Sequence, residues 1–198
     1  MSRRVLGSEM RSGPGPGAVE CERRYRFAAG APAVWAAMCA VGQYRTWWPW
    51  LRGFEATELA AGARWSCVIR PPAPYLLRFT LVLDEVEAPR RIVAHVQGDV
   101  TGEARLVLAD SVSKCATVGP RGRRGGSPSP AGAPATEGCC EVVLTSSLRP
   151  ARGALRLVAA TLPGVGRYGH ARVLDKGARQ FAAALSAFAA DGAGAALR

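Results

Sequence analysis

The feature that most constrains this chain is one apolar stripe near its end. From Tyr168 onward, Leu174, Ala178, Phe181, Leu185 and Phe188 recur at steps of four, three, four and three, the period that stacks side chains along one face of an α-helix. Arg172, Lys176 and Arg179 fall largely off that stripe. A helix with one apolar face must bury it against something. The partner lies upstream, where short runs separated by turn signals read as strands over 54–59, 63–70, 76–86, 91–97, 101–109 and 140–148. In the third run Leu77, Phe79, Leu81 and Leu83 alternate with Arg78, Thr80, Val82 and Asp84, so one sheet face is buried and the other wet. The pattern predicts an α+β fold, a curved antiparallel sheet wrapped round a long C-terminal helix.

The domain opens with a strand over 19–27, where Cys21, Arg23, Tyr25 and Phe27 share one face and Glu20, Glu22, Arg24 and Arg26 the other. Ala31-Pro32 then begins a helix, with Val34, Trp35, Met38 and Val41 at helical spacing and Gly42 as its end. A short helical or turn segment over 44–51 carries three tryptophans, and Pro49 limits its length. Gly98-Asp99 and the following Val100 to Gly102 read as a tight reversal. Residues 1–18 and 113–137 are rich in Gly and Pro and are expected to be a flexible tail and a disordered insertion. With 191–198 read as a second flexible tail, one domain over 19–190 remains.

Composition excludes several function classes. The net charge is +11, yet Lys114 and Lys176 are the only lysines among 26 basic residues, and the arginines are scattered. That is an Arg-rich composition without a basic patch interleaved with aromatics, so nucleic acid is not an expected partner. No run approaches a membrane span, and residues 1–18 lack the apolar core of a secretory signal, which makes the cytoplasm the expected location. The six cysteines, at 21, 39, 67, 115, 139 and 140, include no C-x-x-C pair and read as inert thiols. His95 and His170 are the only histidines, so neither a metal nor a cofactor site is expected.

The order of these elements, strand, two short helices, six-strand meander and long helix, resembles the helix-grip architecture of the SRPBCC superfamily, which includes START lipid-transfer and polyketide cyclase/dehydrase-like proteins. Ala31-Pro32-Ala33-Val34-Trp35 is similar to that family's A-P-x-x-V-W opening, and Tyr44 to Pro49 to its Y-x-x-W-W-P segment. Gly98-Asp99-Val100-Thr101-Gly102, and Tyr168-Gly169-His170 ahead of Gly177, resemble the G-D-x-x-G and W-N-H motifs of bacterial members. The resemblance spans residues 19–190 apart from the insertion.

The resemblance implies a cavity between the concave sheet face and the last helix. Its lining would be Trp65, Phe79, Leu81, Ala94, Val96 and Leu106 from strands and Leu174, Ala178 and Phe181 from the helix, suited to a lipid, polyketide or aromatic molecule. The same residues would also fill an ordinary core. Tyr168 and His170 are placed at the rim, where each offers a hydrogen bond to a ligand's polar end or to a local partner. Trp47, Trp48 and Trp50 either anchor the short helices, gate the mouth, or touch a membrane surface transiently near Arg45 and Arg52. Gly177, in mid-helix, signals close packing or room for ligand, with packing favoured. No general acid or base stands out: alternation turns His95 to solvent, and Asp175, Arg70 and Arg78 are read as surface. The leading expectation is binding or transport of a hydrophobic small molecule, without turnover. Its alternatives are a polyketide cyclase/dehydratase acting in the same cavity, and a basic interaction module using Arg121, Arg123 and Arg124 of the 113–137 segment.

Overall fold

A computed structural model describes residues 18–71, 75–111, 138–151, 153 and 163–195. The expected tail before residue 18 and the 113–137 insertion lie outside the described residues, as does the side chain of Phe188. Seven strands, β1 (Val19–Phe27), β2 (Leu51–Glu55), β3 (Arg64–Ile69), β4 (Leu77–Glu87), β5 (Arg91–Gly98), β6 (Val100–Ser111) and β7 (Cys139–Pro150), form one sheet. The helices are α1 (Ala31–Cys39), α2 (Tyr44–Trp47) and α3 (Pro163–Ala195). The sheet order is β1-β7-β6-β5-β4-β3-β2 and every pairing is antiparallel. Strands β2 to β7 therefore form a meander, and β1 closes its far side against β7. The sheet curls round α3, which is the helix-grip fold.

Register fixes which side chains face α3. Tyr25 lies opposite Val142 and Val142 opposite Leu108; Ile92 lies opposite Leu106 and Leu106 opposite Leu144; Leu81 lies between Val96 and Trp65. Of these, Tyr25, Trp65, Leu81, Ile92, Leu106, Leu108 and Val142 pack with Phe181 and Leu185 of α3 and Val34 and Trp35 of α1 into one core. Val34, Leu83 and Cys140 are fully buried, and the two aliphatic side chains, Val34 and Leu83, contribute about 1.5–3 kcal/mol each through removal from water. The outer face carries ion pairs such as Arg24–Glu22 at 2.8 Å and Arg91–Glu85 at 2.7 Å. His95 is on this outer face, its Nδ1 2.7 Å from Asp84 Oδ1, as alternation requires.

The G-D-V-T-G segment is the β5–β6 turn. Gly98 and Gly102 adopt φ of +135° and +149°, where a side chain is strained, and a Cβ on Gly102 would collide with the Ser147 carbonyl oxygen of β7. The buried Asp99 carboxylate accepts the Arg78 backbone N–H at 2.8 Å, and the Asp99 N–H donates to the Arg78 carbonyl at 2.8 Å. These contacts pin the turn to β4.

Several boundaries differ from the sequence reading. Strand β2 occupies Leu51–Glu55 rather than 54–59, because α2 stops at Trp47 ahead of Pro49 and the Leu51 N–H turns back onto the Trp48 carbonyl at 2.9 Å. Helix α1 ends at Cys39, and Gly42 lies inside a following 3-10 turn, Val41–Gln43. Helix α3 starts at Pro163, a residue preorganised for a first helical turn, and continues to Ala195, so residues 191–195 are helical rather than a tail. Cys139 is disulfide-bonded, a pairing that sequence spacing does not give, while Cys21, Cys39, Cys67 and Cys140 are free thiols. Asp175 is not a bare surface residue: its carboxylate accepts from the Tyr25 hydroxyl at 3.0 Å and lies 3.4 Å from Arg23 Nε, tying α3 to β1.

Candidate functional site

Between the concave sheet face and α3 the interior opens into two adjoining lobes, of about 220 Å³ and 280 Å³, that share Met38, Tyr44, Trp48, Trp50, Leu106 and Leu144. The smaller is walled by α3 through Leu174, Gly177, Ala178 and Phe181 and by β1 through Tyr25 and Phe27. The larger lies over β2 to β5 and is lined by Phe54, Trp65, Phe79, Leu81, Ile92 and Ala94, among others. Ten of the residues expected at a cavity thus fall on it, eight of the expected lining residues together with Trp48 and Trp50, which line both lobes.

The aromatic cluster forms the common wall. Tyr44 is the hub, its ring 4.7 Å from Trp48, 5.3 Å from Phe54 and 5.8 Å from both Trp47 and Trp65. Trp48 and Trp50 are tied to α3: the Trp48 indole N–H donates to the Gly177 carbonyl at 3.0 Å, and that of Trp50 to Gln180 Oε1 at 2.7 Å. A Cβ on Gly177 would meet Trp50 Cζ2 at 3.4 Å. The mid-helix glycine therefore marks a close helix-to-tryptophan approach. Trp47 packs behind this wall against Phe181, with ring centroids 5.8 Å apart.

The polar handles around the lobes are turned onto protein partners. The Tyr44 hydroxyl donates to the Met38 carbonyl, that of Tyr25 to Asp175, and the Trp65 indole N–H to the Glu58 carbonyl at 2.9 Å. Burial raises the hydroxyls of Tyr44 and Tyr25 above the ordinary phenol range, with Asp175 adding to the effect at Tyr25. The Cys67 thiol is pushed up to about 12 by burial and is held protonated. What the cavity presents is aromatic and aliphatic surface.

The remaining expected site residues fall elsewhere. Val96 is buried on the inward face of β5 but outside the lining of either lobe. Tyr168 is 65% exposed, and its hydroxyl accepts from Arg172 at 2.7 Å with the guanidinium over its ring, so it braces Arg172 rather than facing the cavity. His170 has a local partner: its Nε2 is 3.0 Å from Ser146 Oγ, and burial together with the Arg23 cation lowers its basicity, favouring neutral imidazole. Tyr25, Met38, Tyr44 and Leu144 line the cavity without having been singled out as such. Tyr25 was legible as an inward residue of β1 and Tyr44 as the first residue of the Y-x-x-W-W-P segment, but their meeting is set by tertiary packing.

Comparison with known proteins bears on the fold. No family model and no curated protein matches the sequence. Solved structures do match: the Zhui aromatase/cyclase from Streptomyces sp. R1128 at 18% identity and a TM-score of 0.55, covering 85% of this chain and 91% of that one. A START superfamily protein from Mycobacterium smegmatis aligns at 13% identity and 0.54, over 86% and 98% of the two chains. Ara h 8.0201 aligns at 8% identity and 0.55, over 86% and 99%. At such identities the likeness is one of architecture. The fold and the site together define a helix-grip protein with an apolar interior, and the SRPBCC resemblance of its motifs holds at the level of that fold. Among the described residues no helix is long and apolar enough to cross a membrane.

Proposed function

We propose that this chain binds or carries a hydrophobic small molecule in the cavity between its sheet and α3. The observation that carries the reading is the chemistry of the lining, in which tryptophan, phenylalanine and aliphatic surface faces inward while the hydroxyl and indole groups are engaged by protein partners. Such a site holds its ligand mainly by area. At about 25 cal/mol per Å², a molecule burying roughly 200 Å² of apolar surface gains about 5 kcal/mol before the cost of association. Native mass spectrometry of freshly purified protein, followed by denaturation and organic extraction, tests this directly. A stoichiometric apolar compound is expected, and dodecanol should give a saturable change in the emission of Trp48 and Trp50, which line both lobes. An empty protein that also fails to bind dodecanol would refute the reading.

A cyclase or dehydratase reading draws on the Tyr25 hydroxyl, which lines the smaller lobe and is held by Asp175. Among the described residues it is the one phenol on the cavity bonded to a carboxylate, an arrangement that fixes its oxygen as a hydrogen-bond acceptor for a ligand and gives its proton a carboxylate to move to. The fold shared with an aromatase/cyclase adds support. Turnover of an extracted ligand, abolished in Tyr25→Phe with binding retained, would favour this alternative over a carrier.

A further inference from the structure

Beside the apolar lobes lies a second cleft, of about 730 Å³, lined by Arg52, Arg70, Arg172, Lys176 and Arg179 together with Pro49, Trp50, Pro71 and Val173. Trp50 and Val173 line both this cleft and the smaller apolar lobe, so the two spaces share a wall. We propose that the cleft is an anion subsite and that the ligand is an amphiphile, with an apolar body in the cavity and one acidic head, carboxylate or phosphate, among these five cations. The inference rests on the cavity reading above and deepens it.

Charge distribution carries the argument. All five side chains are exposed, no acidic residue lines the cleft among the described residues, and none of the five makes an ion pair there. Elsewhere in the fold Glu22, Glu85, Glu87 and Glu141 pair with Arg24, Arg26 and Arg91. On α3, Arg172, Lys176 and Arg179 stand at spacings of four and three, which sets like charges side by side, and the carboxylate between them, Asp175, is turned to Tyr25 and Arg23 on β1. Arg172 is also held in place by Tyr168, whose hydroxyl it binds at 2.7 Å. Arg70 enters from the other wall, its backbone N–H bonded to the Trp50 carbonyl at 3.0 Å. A guanidinium cluster held from two sides recognises carboxylate or phosphate oxygens.

Three probes with the same chain, dodecanoate, dodecyl phosphate and dodecanol, separate head from body when titrated as monomers against the full-length protein. Both anions should bind at least about tenfold more tightly than the alcohol, as one charge-assisted contact implies, and their ranking distinguishes a carboxylate head from a phosphate head. The anion-to-alcohol ratio should collapse in Arg70→Glu/Lys176→Glu and survive in Lys176→Arg. Wild-type protein in about 1 M salt, where screening acts within roughly 3 Å, should lose the preference without any substitution, which keeps the test open if the double variant does not fold. Dodecanol binding as tightly as the anions, or a ratio unmoved by salt and by the double variant, overturns the anion subsite and leaves the cavity reading intact. Failure of all three probes removes the cavity reading and the subsite together. Binding to phosphatidylglycerol vesicles without binding to the monomeric anions would overturn the proposal in favour of a membrane contact.

Discussion

Replacing Gly177 by Ala tests how α3 meets the tryptophans, because two opposing effects have calculable sizes there. Glycine inside a helix is about 1 kcal/mol less favourable than alanine. Against that gain stands the space available: the new Cβ would lie 3.4 Å from Trp50 Cζ2 and 3.9 Å from Trp48 Nε1, which is ordinary contact distance. The Trp48 hydrogen bond is to the Gly177 carbonyl and does not need the missing side chain. Net stabilisation of about 0.5–1 kcal/mol is expected, or roughly 1–4 °C in Tm for a chain of this size. Urea unfolding followed by far-UV circular dichroism measures it without relying on indole emission, which the substitution perturbs directly. The same methyl group enters the smaller lobe, so dodecanol affinity should fall a few-fold while stability rises. Destabilisation by more than about 1 kcal/mol with the far-UV spectrum intact would refute the reasoning, showing that the tryptophans approach the helix too closely for any side chain.

Other expectations follow from the same contacts. Trp48→Phe, which keeps an aromatic ring against Tyr44 and loses the bond to the Gly177 carbonyl, should cost about 1 kcal/mol, whereas Trp48→Ala should cost about 3–5 kcal/mol in urea unfolding; a melting temperature unchanged in Trp48→Ala would favour a gate over an anchor. The lowered basicity of His170 makes stability depend on pH. Its contribution is complete above the ordinary value of 6.5 and is lost as pH falls below it, because the unfolded chain then takes up a proton that the buried imidazole resists. The urea midpoint should therefore drop between about pH 7 and pH 5.5, and His170→Gln should flatten that slope; identical profiles for the two proteins would exclude His170 as the cause.

The helix–sheet arrangement was legible because it rests on periodicity. The α3 stripe and the alternation in β4 each place apolar side chains on one face, and those faces have only each other to cover them. That periodicity places Phe79 and Leu81 of β4 and Leu174, Ala178 and Phe181 of α3 inward, while a cavity lined by them with Trp65, Ala94, Val96 and Leu106 was what the family resemblance implied. Boundaries near Pro49 and Gly42 were less legible, since a hydrogen bond from Leu51 to Trp48 and a 3-10 turn at Val41 decide them locally. Tyr168, expected to offer its hydroxyl at the rim, is engaged instead by Arg172, one turn along α3, a contact between side chains that spacing alone does not give.

Sequence by itself determined the element types, the inward faces and the order of the chain, because each is a short-range consequence of side-chain spacing and turn chemistry. Tertiary structure decided the rest. Only the register of seven strands brings Tyr25 to Asp175 across 150 residues, sets Ser146 beside His170, and leaves a cavity where the same side chains could have closed a solid core. Only the packing of α3 on the tryptophan wall gathers Arg52, Arg70, Arg172, Lys176 and Arg179 round one cleft. Charges spread along a sequence carry no address; long-range contacts between elements fix how far apart they stand, and that separation governs what they attract.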